Sequence, residues 1–350
     1  MKKLLLHFAL AAVMLLGTTV TASAEKVTEN LSAVNKTCSI RVYKDLSEAS
    51  PSYKGYITGT VTSMPTSSAP GLLAVSKLTT LQGLSGINMS GDVDIPAMIT
   101  DANGRKFIIN EISESTFKDC NQLRSVFFTF ESSDSYSSFS SYKAKFIIRG
   151  YAFQGCTSML YFNLKTSKCP FSVGVYSVFQ LAFDGCTALT QWIVPMAEGY
   201  NVGAGAFRNC SSIETLRVAG SFFDDAFEGC TGVKYLDWYG MQGTDYTMSR
   251  SGKNPFEPMQ KTVRNIRLYS SVPIGLFKDF TALVSVDTPE DIWDNLTNVT
   301  KERMGIGQDA FSGCTKLKII AVAGFIHYNA FRYCSNITSV IYRGGFYNYA

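Results

Sequence analysis

Histidine is almost missing from this chain: His7 and His327 are the only two in 350 residues. His7 lies inside an N-terminal apolar run, so His327 stands alone. Ser-His-Asp or Cys-His machinery would have to be built on that one residue, and no Ser or Cys near it departs from the surrounding pattern. His-rich zinc sites are excluded on the same ground, and the cysteines form no C-x-x-C pair. A Gly-rich phosphate loop, a G-x-S-x-G elbow and a calcium-loop pattern are also absent. Charge of one sign is scarce too: 32 Lys and Arg face 28 Asp and Glu, a formal charge of +4. Nucleic-acid recognition needs a concentrated basic face, which such a balance argues against. Beyond the N-terminal run, no stretch reaches the ~18 apolar residues that a membrane span needs. Acidic neighbours at Asp224-Asp225 and Glu290-Asp291, with Asp294 nearby, read as solvated loop charges. A paired-carboxylate hydrolase is the least favoured reading of them. No enzyme, cofactor or metal site is expected.

What is present begins with an export signal over residues 1–24. Lys2 and Lys3 form its basic start, Leu4 to Leu16 its apolar run, and Ala22-Ser23-Ala24 a small-x-small cleavage site. Loss of Lys2 and Lys3 takes the formal charge from +4 to +2. No Cys sits at the cleavage site, so no lipid anchor is expected. The chain is expected to be exported, either secreted or at the cell surface, with the periplasm as the alternative.

The rest is dominated by one phrase, Phe-x-x-Cys-x-x-Leu-x-x-Val, usually preceded by Ala. Copies begin at Phe117, Phe153, Phe183, Phe207, Phe227, Phe277, Phe311 and Phe331, at spacings of 36, 30, 24, 20, 50, 34 and 20. A period in this range predicts a stacked solenoid. The Leu and Val columns exchange one apolar residue for another, as core positions do. The residue after Phe is always polar and points to water. The residue before Cys is often Gly or Asn, which fits a tight bend, and the residue after it is Asn, Thr or Ser, which bond backbone amides in turns. Each phrase therefore predicts a short helical turn, a bend and a short strand.

Nine cysteines in an exported chain would ordinarily suggest disulfides. Seven of them occupy one column, and Phe280 replaces Cys in the remaining copy. A packing position tolerates Phe and a disulfide does not, so a ladder of reduced, buried thiols is expected. Cys38 and Cys169 lie outside the column, and whether they pair is left open.

The copies resemble the BspA-like leucine-rich repeats, whose phrase runs I-x-x-x-A-F-x-x-C-x-x-L-x-x-[VI]-x-[IL]-P. Asp309-Ala-Phe-Ser-Gly-Cys-Thr-Lys-Leu-Lys-Ile-Ile matches it almost throughout, and so does Leu181 to Pro195. Gly91-Asp-Val-Asp-Ile-Pro and Asn103 to Ile112 are similar to the segment that precedes the repeats in that family. The resemblance covers roughly residues 87 to 350; the departures are in loop length and in a missing Pro after most strands. It implies an α/β, β-rich fold: a right-handed leucine-rich-repeat solenoid of short strands and short helical turns. It also implies a secreted or surface bacterial protein linked to adhesion and host-matrix binding.

Residues 25–86 carry no copy of the phrase. Alternation in Ser39-Ile-Arg-Val-Tyr and Tyr56 to Thr62 predicts strands. An N-terminal β cap on the solenoid is the favoured reading, and a small separate β module the alternative. Residues 87–350 form the repeat region. Two inserts carry the aromatic and Arg side chains typical of binding surfaces. The candidate ligand-binding residues are Trp238, Tyr239, Tyr246 and Arg250 in the first, and Tyr136 and Tyr142 in the second. In each case the competing reading is a loop packed on its own scaffold. The expected partner is an extracellular or host protein, with a glycan as the alternative.

Overall fold

The structure, a computed structural model, describes residues 25–46, 53–79, 90–130, 134–223, 225–240, 253–290 and 305–343. Two ladders of short parallel strands run along the repeats, the first as far as Ser339–Tyr342 and the second as far as Ser221–Phe222. The first carries the Val column. It starts with Gly91–Pro96, Leu123–Thr129 and Tyr161–Lys165. It continues through Gln191–Trp192, Thr215–Val218, Tyr235–Trp238, Asn265–Leu268, Ser285–Asp287, Ile319–Val322 and Ser339–Tyr342. The Val column pairs in register from Trp192 through Leu216, Leu236, Ile266, Val286 and Ile320 to Val340. The second ladder holds Gly71–Thr79, Lys106–Ile112, Lys143–Ile148, Ser172–Val178, Met196–Val202 and Ser221–Phe222. Gly305–Ile306 and Phe325–Ile326 pair separately.

The segment before the repeats joins these ladders. Thr37–Tyr43, Tyr53–Ser63 and Gly71–Thr79 form an antiparallel meander. Tyr43 pairs with Asp94 at the start of the first ladder, while Gly71–Thr79 pairs with Lys106–Ile112 in the second. One 13-stranded sheet therefore passes from ladder to ladder through the meander.

The phrase itself does not form a helix. Each copy makes isolated i→i+3 bonds, such as Cys156 N–H to the Phe153 carbonyl at 3.1 Å and Cys186 N–H to Phe183 at 3.0 Å. The physical reason is a pair of left-handed residues bracketing the turn. One precedes the Cys position (Asp119, Gly155, Gly185, Asn209, Gly229, Asp279, Gly313, Tyr333), and in every regular copy but that of Phe227 the other lies two residues before Phe (Ser115, Tyr151, Leu181, Gly205, Gly275, Asp309, Asn329). A right-handed helix cannot propagate through either. The described helical residues are the 3-10 segments Asp134–Phe139 and Glu257–Met259 and the single α-helical residue Glu290.

The phenylalanine column is a continuous stack of rings, and it contains a member the spacing hides. Phe256 stacks on Phe227 at 5.6 Å and packs on Phe277 at 6.0 Å. It opens a degenerate copy in which Met259 takes the Cys position and Val263 and Ile266 the apolar columns, all buried. The 50-residue spacing is thus two copies. Elsewhere neighbouring rings lie 4.9–5.6 Å apart, from Phe117–Phe153 to Phe311–Phe331.

All nine cysteines are free, Cys38 and Cys169 included. The column packs as expected but also bonds. The thiols of Cys156, Cys186, Cys210, Cys230, Cys314 and Cys334 donate to the carbonyl of the preceding copy's Phe at 3.0–3.3 Å. Such bonds are second-order. Where Met259 and Phe280 stand, the carbonyls of Phe227 and Phe256 keep their backbone donors, Cys230 N–H and Met259 N–H, at 3.0 and 2.9 Å. That is why the column tolerates a side chain without a donor.

Candidate functional site

Period-two alternation decides which side chains of the first ladder face outward. In Thr215–Val218, Tyr235–Trp238 and Asn265–Leu268 the residues Leu216, Val218, Leu236, Trp238, Ile266 and Leu268 are buried. Their neighbours Arg217, Asp237 and Arg267 share the other face and pair strand to strand, with Asp287 next in line. The result is a row of alternating charge across four strands.

The row centres on a buried carboxylate. Arg267 donates two parallel bonds to Asp237, Nε to Oδ1 and Nη2 to Oδ2, each 2.6 Å. Arg217 Nη2 lies 3.8 Å from Asp237 Oδ2, and its Nη1 donates to the Ile193 carbonyl at 3.2 Å. Bidentate pairing of this kind holds a guanidinium in one plane. Beyond the strand ends, Tyr239 and Tyr269 stack face to face at 4.1 Å with 5° between their planes. Arg217 lies over Tyr239 at 5.4 Å and Arg267 over Tyr269 at 5.9 Å. Burial, helped by the Asp237 charge, pushes the Tyr269 phenol up to about 12, so it is a neutral hydroxyl near pH 7. Two guanidinium groups share one carboxylate, which leaves the patch net positive. Further along, Arg343 Nη1 bonds Asp287 Oδ1 at 2.9 Å.

The sequence-derived candidates divide accordingly. Tyr239 is 36% exposed at the centre of the patch. Trp238, its neighbour, is fully enclosed: its Nε1–H donates to the Ser271 carbonyl at 2.8 Å, and its ring lies edge-on to Phe277 at 5.9 Å. From there it packs the strand against the core, with no surface open to solvent. Tyr136 is also enclosed, its hydroxyl donating toward the carbonyls of Ile99 at 2.6 Å and Phe107 at 3.1 Å. Tyr142 is half-buried, edge-on to Phe171 at 5.8 Å. Tyr246 and Arg250 lie outside the described residues. Arg217, Arg267 and Tyr269 are missed by reading the inserts. A signal exists for Arg217: with Asp237 and Asp287 it sits ten residues after its Phe, in the column following the Val column, whereas the extra residue in the Phe256 copy shifts Arg267 and Tyr269 out of that count. Among the described residues no three His, Cys, Asp or Glu side chains converge to hold a metal ion. No described helix is long and apolar enough to cross a membrane.

Parallel ladders, a stacked Phe column and an outward strand face define a leucine-rich-repeat fold. Residues 128–239 and 252–349 match the BspA type Leucine rich repeat region in six copies, and the chain belongs to that family. No curated protein matches the chain at a significant level. Among solved structures, a leucine-rich repeat protein from Bacteroides ovatus is 17% identical over 82% of this chain and 75% of its own, with a TM-score of 0.33. A T. pallidum leucine-rich repeat protein is 17% identical over 70% of this chain and 83% of its own, at 0.35. One from Eubacterium ventriosum is 11% identical over 85% and 92%, at 0.23. Proteins of this repeat type are typically binding proteins and often secreted or at the bacterial surface.

Proposed function

We propose that this chain is an exported, non-catalytic adhesion protein that binds an extracellular or host protein through the outward face of its first strand ladder. In this reading the repeats form a right-handed solenoid, and residues 25–86 cap its start. The observation that carries it is the patch of Arg217, Tyr239, Arg267 and Tyr269 set around buried Asp237. Tyr and Arg dominate interface energetics, and here both are held rigid before any partner arrives. Tyr246 and Arg250 are kept in this reading as ligand-binding residues on the composition of their insert alone. A second reading rests on the Tyr239–Tyr269 pair: a partly exposed tyrosine offers ring surface and a hydroxyl to a sugar, which makes a glycan the alternative ligand.

The test is an array of matrix proteins and glycans probed with the wild-type chain and with Tyr239→Ala/Tyr269→Ala. Loss of a hot-spot pair is expected to weaken the partner found by about 30-fold, equivalent to ~2 kcal/mol. Undiminished binding of the double variant to every partner found would remove this patch from the function. A hit confined to glycans would favour the second reading.

A further inference from the structure

A second surface lies at the opposite end of the same strands. The residues that enter them, seven after each Phe in the regular copies, form their own backbone ladder. Lys234 N–H bonds Glu214 O, Arg264 N–H bonds Lys234 O, Val284 N–H bonds Arg264 O, and Lys318 N–H bonds Val284 O, at 2.8–2.9 Å. Their side chains are therefore spaced by about one strand separation, ~4.8 Å. Beside this row runs a groove of ≈ 370 Å³ with Lys234, Lys261, Arg264 and Lys316 on its walls and Ala282 and Val284 among its lining residues. The four cations are exposed. Among the described residues, the ion pair at this groove is Lys234 with Glu214 at 2.7 Å, and both partners are about half exposed. A pair so open to water neutralises little. Like charges one strand apart repel, so the bare groove is electrostatically unfavourable and an anion would relieve it.

We propose that this groove binds a sulfated polysaccharide. Lys234 and Arg264 stand one strand apart in the row, and Lys261 and Lys316 line the same groove, a cluster of cations that suits a ligand carrying several closely spaced fixed charges. An acidic peptide added as a strand is disfavoured, because the backbone of the row is already paired rung to rung. Single-stranded nucleic acid is disfavoured because the lining has no aromatic ring on which a base could stack. The groove is separate from the Tyr239–Tyr269 patch, so either assignment can fail without the other.

The test uses the full chain with heparin as the probe, against unsulfated dextran and a single-stranded DNA of matched charge. The wild type is expected to bind heparin in a salt-dependent way, to ignore dextran and to bind the DNA more weakly. Lys234→Ala/Arg264→Ala/Lys316→Ala should weaken heparin binding at least tenfold and lower the slope of log K against log salt by about two to three, one unit per lost contact. A control with the same charge change at three exposed lysines outside the groove, Lys26→Ala/Lys36→Ala/Lys143→Ala, should keep at least half the affinity. Tyr239→Ala/Tyr269→Ala should keep heparin binding whatever it does to a protein partner. No heparin binding, an equal loss in the control, or equal affinity for the DNA would each overturn the proposal.

Discussion

At the scale of the residue, the turns are governed by backbone sign rather than by side-chain chemistry. Outside the Phe256 copy, where Pro258 stands, the position before the Cys column is left-handed in all eight regular copies, which explains why Gly, Asn and Asp recur there. Tyr333 is the departure, at φ 63° with its ring mostly exposed beneath Arg332. Tyr333→Asn is expected to raise stability by about 0.5 kcal/mol, since relief of the left-handed penalty exceeds the loss of an exposed ring contact. Gly220 works in the other direction: at φ +77° an added Cβ would lie 1.6 Å from the Tyr200 carbonyl oxygen. Gly220→Ala should therefore destabilise by about 2–4 kcal/mol. Urea midpoints of the two variants against wild type check both signs, and a neutral Gly220→Ala would contradict the close approach.

At the scale of the element, each repeat is defined by what it adds to the Phe stack and the Val column. Phe256 shows this best. Pro255 replaces the usual Ala, Met259 replaces Cys, and one extra residue before Val263 shifts the phrase out of register. The ring nevertheless stacks on Phe227, and Asn265–Leu268 pairs on both sides. Phe256→Ala is expected to cost about 3–5 kcal/mol, as for any fully buried ring in a stack. A change within about 0.5 kcal/mol, the range for a surface loop, would instead make residues 241–264 an insertion.

At the scale of the whole molecule, the cysteines link stability to pH. Burial pushes the thiols of Cys38 and Cys230 up to about 12 and that of Cys186 well above its ordinary value, so the folded chain holds them neutral. In the unfolded chain a thiol ionises near ~8.5. A raised acid contributes stability that is complete below the unfolded value and is lost as pH climbs toward the folded one. The denaturation midpoint should fall steadily from about pH 8.5 upward, and Cys38→Ala/Cys230→Ala should flatten that fall. An unchanged alkaline slope in the double variant would show that other groups carry it. Thiol titration of the denatured, unreduced chain should likewise find all nine thiols.

Much of this was legible in the sequence because a repeat reports its own columns. Eight copies sufficed to find the buried columns, to mark the bend before Cys and to argue for free thiols, since a column that accepts Phe280 cannot depend on pairing. The column after Phe, expected to point to water, is buried at Asp184, which pairs with Arg208, and at Ser312. The helical turn was misjudged because Ala-Phe-x-x-Cys has helical spacing, whereas the left-handed residues on either side are a property of the folded backbone. Trp238 and Tyr239 are adjacent in sequence and opposite in role; the phase of the strand alternation, set by where the strand begins, sends one into the core and the other to the surface. Tyr136 looked like an adaptable loop residue because its two carbonyl partners, Ile99 and Phe107, are remote in sequence. Periodicity thus determined the ladders and the core, and the resemblance of the repeated phrase pointed to the family. The column ten residues after Phe already aligned Arg217 with Asp237, but only the tertiary structure added Arg267 and Tyr269, because one extra residue shifts their copy out of the phrase and their register shows only when strands 20 to 30 residues apart pair.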